Sequence, residues 1–140
     1  MKPIEGIANA SEYHLAVGRV ICFCQCVEAD LKKILSHRAL EAGVELPPES
    51  STWTLGQSVV ELENIDMGME KPFFSKNDYA FLKKVTHIRN HYAHHCYLDW
   101  VHKQGSARKE AFDESAAKLK EDHNHLMVLF DLMERIASDF

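Results

Sequence analysis

Residues 87–97 read HIRNHYAHHCY, and four of the chain's nine histidines fall between positions 87 and 95, beside Arg89 and Asn90. Imidazole exchanges protons near neutral pH, guanidinium is a permanent cation shaped for phosphate oxygens, and a carboxamide both donates and accepts. Three uses suit such a set: a metal site, acid–base work on a phosphodiester, or a solvated face.

Helical geometry sorts them. On a helix over residues 79–100, at about 100° per residue, Phe81, Leu82, Val85, Ile88, Tyr92 and Cys96 share the core-facing sector. His87, His91, His94 and His95 fall on the opposite side, with Asn90 one turn before His94. The cluster therefore faces water or a second copy of the chain. Arg89 and His94 lie about 140° apart around the helix, so either the arginine side chain spans the difference or it reaches a partner chain. His87, His91 and His95 also have the i, i+4 spacing of helical zinc ligands, but no His-Glu-x-x-His motif and no Cys-x-x-Cys pair accompanies them. A zinc-binding helical regulator is the lesser alternative. His14, His37, His102 and His125 read as solvated side chains, and His123 as a hydrogen-bonded interior or interface residue.

The elements that must position these residues are helices. Tyr13, Val17, Val20, Cys24, Val27, Leu31 and Ile34 recur at heptad spacing, with Ile21 and Leu35 widening the stripe. Asn9 with Glu12 suits the start of that helix, and Gly43 its stop before the proline pair of VELPPESST. Thr54 with Gln57 caps a second helix carrying Leu55, Val59, Leu62 and Ile65; NIDMGMEKPFF interrupts. Ser75 with Asp78 caps a third, with Phe74 and Tyr79 at staple positions, and this helix bears the histidines. After KQGSA, a last stripe runs through Phe112, Ala116, Leu119, Leu126, Phe130, Met133 and Ala137. No segment alternates at period two. The expectation is an all-α antiparallel bundle of four or five helices, one domain over 1–140.

Composition narrows the class. Hydrophobic residues make up 46% of 140 positions, enough for a core, and the net charge of −5 excludes a protein coated with basic residues for long nucleic-acid tracks. The segment 76–103 departs from that balance: Lys76, Lys83, Lys84, Arg89 and Lys103 face only Asp78 and Asp99, which draws an anionic ligand there. No apolar run approaches the ~18 residues of a membrane span, and no secretory leader is evident. A soluble, cytoplasmic protein with reduced, mostly buried cysteines is expected, with no membrane partner.

RNHYAH, Arg89 to His94, resembles the Arg-Asn-x-x-x-His signature of the HEPN superfamily (higher eukaryotes and prokaryotes nucleotide-binding), small helical bundles with this motif on a late helix. The resemblance implies a metal-independent endoribonuclease of toxin or phage-defence type, without cofactor, in which a homodimer joins two motif helices into a composite site. Arg89 would then contact the scissile phosphate, His94 act as general acid or base, and Asn90 lend polar support. His91, His95, Lys84 and Tyr97 are the surrounding candidates for RNA contact. A cognate antitoxin is the implied further partner. One subgroup carries a tyrosine two positions after the histidine, which a partner antitoxin nucleotidylates; here that position is Cys96, and the tyrosine follows as Tyr97. The alternative is a non-catalytic HEPN-type module for nucleotide binding or protein interaction.

Overall fold

The computed structural model describes residues 2–140. It is an all-α helical bundle: α1 (Ala10–Ala42), α2 (Leu55–Asp66), α3 (Lys76–Leu82), α4 (Val85–His94) and α5 (Gly105–Ser138), with a 3₁₀ turn at Pro48–Thr52 and no strand among the described residues. No helix among these residues is long and apolar enough to cross a membrane.

The helix ends follow their local chemistry. Asn9 Oδ1 accepts from the Glu12 amide at 2.9 Å and so caps one of the first donors of α1, while the Glu12 carboxylate accepts from the Ala8 amide and holds the chain that leads into the helix. It stops at Gly43, whose φ of 69° only glycine adopts cheaply. The Val44 amide then bonds back to Ala39 and the Gly43 amide to Leu40, closing a Schellman turn. Thr54 with Gln57 and Ser75 with Asp78 form complete capping boxes. Across the second, Phe74 and Tyr79 pack edge to face at 5.4 Å.

The chain divides into two compact units, Met1–Gln25 with His87–Val128 and Cys26–Thr86 with Leu129–Phe140. In the first, the hydroxyl of buried Tyr13 donates to the Cys96 carbonyl at 3.1 Å, and its ring meets Tyr97, Trp100 and Phe112. Tyr92 donates to the Asp122 carboxylate, tying α4 to α5. His123 is fully buried, its Nδ1 2.9 Å from Asn124 Oδ1 and its ring beside Phe23, so it is an interior histidine. Burial lowers its pKa.

The second unit is organised around a buried carboxylate. Asp66, the last residue of α2, has no exposure; it accepts from Arg38 Nε of α1 at 2.8 Å, from the amides of Phe73 and Phe74, and from the Tyr79 hydroxyl of α3. Arg38 also donates to the Lys71 carbonyl and lies 3.9 Å over the Phe73 ring. The interrupting segment 67–75 is therefore pinned through one side chain.

Asp30 in the same unit is less well served. Its Oδ2 is buried without a hydrogen-bond partner, and burial, then the Glu134 carboxylate, raise its pKa from 3.8 to about 6, against the opposing influence of Lys33. A carboxyl protonated more readily folded than unfolded lends stability that is full below pH 3.8 and lost as pH rises to about 6. Asp30→Asn is expected to raise the melting temperature at pH 7 and to flatten this window, as thermal melts at pH 4, 5, 6 and 7 would show.

The histidine-bearing helix is not continuous over 79–100. The amide of Lys83 bonds to Tyr79, but that of Lys84 reaches back only to Phe81, so α3 tightens and ends before α4 begins. At the other end the amides of His95 and Cys96 both reach the His91 carbonyl. With the Cys96 carbonyl held by Tyr13 and the rings of Tyr97 and Trp100 drawn onto the same aromatic group, residues 95–102 form turns instead of further helix.

Candidate functional site

Helix α4 carries Arg89, Asn90 and His94, all in the first unit. Its packed face is set by buried Val85 and Tyr92. Arg89 lies about 40° around the axis from Val85 and is half-buried; Asn90 and His94 are exposed. Asn90 is about 40° from His94, so carboxamide and imidazole share the open side. Arg89 and His94 leave the helix about 140° apart around its axis.

The neighbouring histidines differ in character. His87 and His95 are exposed, and the rings of His94 and His95 stand 6.3 Å apart. His91 is half-buried with its ring edge-on to Tyr92 at 4.8 Å. Burial, followed by the charge of Lys118, lowers the His91 pKa. That burial disfavours the charged form of His91, the form that would pair with a phosphate. No three His, Cys, Asp or Glu side chains among the described residues group so as to hold a metal ion, so the i, i+4 histidines do not converge with a further ligand. Lys84 is exposed in the turn between α3 and α4 and belongs to the second unit.

Tyr97 has an unexpected partner. Its hydroxyl lies 2.7 Å from His14 Nδ1, and the two rings are 5.2 Å apart. Burial raises the Tyr97 pKa, which favours the neutral phenol in this contact. His14, expected as a solvated side chain, is exposed and also sits against the turn that follows the motif. A contact across 83 positions leaves no local trace in a single sequence. Cys96 turns into the core, and no disulfide joins the four cysteines: Cys24 and Cys96 are buried, Cys26 half-buried and Cys22 exposed.

No protein-family model matches the chain, and neither a curated protein nor a solved structure matches it.

The arrangement offers an exposed imidazole with a carboxamide beside it and a guanidinium one sector away. An imidazole can take or give a proton at physiological pH, and a guanidinium stabilises charge growing on phosphoryl oxygens.

Proposed function

We propose that the chain is a HEPN-like endoribonuclease working as a homodimer in the cytoplasm, as a toxin or phage-defence effector answering to an antitoxin. The observation that carries this reading is the complete Arg-Asn-x-x-x-His set on one short helix, with Asn90 and His94 open to an incoming strand. The 2′-hydroxyl of RNA loses its proton to an imidazole as its oxygen attacks the adjacent phosphorus. The bond from phosphorus to the 5′-oxygen breaks, and a proton delivered to that oxygen leaves a 2′,3′-cyclic phosphate and a free 5′-hydroxyl. Arg89 of one protomer neutralises the phosphoryl oxygens while His94 of the other handles a proton, which answers their divergence on one helix.

The divergence also favours the second reading, a non-catalytic HEPN-type module that binds nucleotide or protein. Incubation with RNA and with matched DNA in excess chelator separates them. Cleavage of RNA alone, giving cyclic phosphate ends, is expected; RNA that stays intact, or is cut only when metal is restored, contradicts the nuclease.

A further inference from the structure

We propose that a cleft in the first unit, distinct from the α4 motif, binds a small phosphate monoester carried on a flat apolar ring. The cleft is open to solvent and offers about 320 Å³ between the segment Ala8–Ala10 and the first turns of α5, with Trp100, Phe112, Arg108 and Lys109 along it. That volume is at the lower end of small-ligand sites, roughly 300–1,000 Å³, and suits one ring with one phosphate.

Two cations and no carboxylate line the cleft, and the first turn of α5 carries no acidic residue; the carboxylates that touch its lining residues are Glu12, on the Ala8 amide, and Asp113, on Lys109. The Arg108 guanidinium is exposed and stands 5.5 Å over the Trp100 ring, a weak attraction that keeps it beside that ring. Lys109 reaches Asp113 at 2.9 Å, but both side chains are well exposed, so the pair contributes little and Lys109 can turn to a ligand. Two cations in one cleft match the roughly −2 charge of a phosphate monoester better than a single carboxylate. Trp100, 3% exposed, and half-buried Phe112 stand edge to face at 4.9 Å and form a rigid apolar floor. The cleft shares no residue with Arg89, Asn90 or His94, so this proposal stands whether or not the chain cuts RNA.

Trp100 supplies the readout. In Trp53→Phe protein it is the chain's remaining tryptophan, and its fluorescence can be titrated with phenyl phosphate, benzoate, inorganic phosphate and a 5′-phosphorylated oligoribonucleotide. The expected result is saturable quenching by phenyl phosphate, tightest among the four, weakened at least about tenfold by Arg108→Ala. Should Arg108→Ala lose its helical circular dichroism, Lys109→Ala is expected to give the same weakening. No change in Trp100, equal binding by benzoate or inorganic phosphate, or retained affinity in the folded variant overturns the proposal. Tighter binding of the oligonucleotide would assign the cleft to a strand end and overturn it as well.

Discussion

Substituting alanine for His94 is expected to lower RNA turnover about 10²–10⁴-fold, the usual contribution of a positioned acid or base. The imidazole is exposed on α4, and none of the contacts that fix that helix, the packing of Val85 and Tyr92 or the Tyr92–Asp122 bond, passes through it. The variant therefore keeps its helical circular dichroism and its melting temperature, and the loss falls on kcat. His95→Ala, at an equally exposed neighbour, is the control and is expected to change turnover only a few-fold. Equal losses in both variants would mean that the face binds RNA as a wet basic surface and that neither imidazole moves a proton.

The largest effect on stability is expected at Asp66. Asp66→Ala is expected to cost about 3–5 kcal/mol, because it removes the buried carboxylate from the Arg38 guanidinium, which keeps only the more exposed Glu41 at 3.3 Å. Arg38 is 5% exposed and would lose the carboxylate it meets at 2.8 Å. The amides of Phe73 and Phe74 and the Tyr79 hydroxyl would lose their acceptor in the same step. Urea unfolding followed by circular dichroism measures the difference. Asp66→Asn retains one acceptor oxygen and is expected to fall between the two proteins. A loss below about 1 kcal/mol for the alanine variant would show that the network relaxes or admits water.

Much of this was readable residue by residue. Asn9, Thr54 and Ser75 announce helix starts because each cap is closed by a partner three positions on, and Gly43 announces a stop because a positive φ is cheap only for glycine. The stripe from Tyr13 to Ile34 marks the core because burial repeats with the helical period, and Ile34, Val27 and Val20 are all fully buried. What escaped depends on distant partners. Neither glycine nor proline marks the break at Lys83–Lys84, and α4 stops at His94 because Tyr13 and an aromatic group hold the chain beyond it. Arg38 did leave a trace, a charge in register with Leu31 and Leu35 on an apolar stripe, which requires a buried counter-charge. Nothing local named Asp66, 28 positions away.

The candidate site divides in the same manner. Which residue types share α4, and that Arg89 and His94 diverge by about 140°, follows from helical periodicity, and the half-burial of one with the exposure of the other agrees. That His14 meets Tyr97 needed the fold. Whether a second chain closes the site is a question of association, which periodicity does not address.

A heterodimer purified from co-expressed Arg89→Ala and His94→Ala chains puts that question directly. One of its two composite sites would hold an intact arginine from one protomer and an intact histidine from the other, so about half of wild-type RNA cleavage is expected from two inactive parents. A heterodimer as inactive as its parents would contradict a shared site.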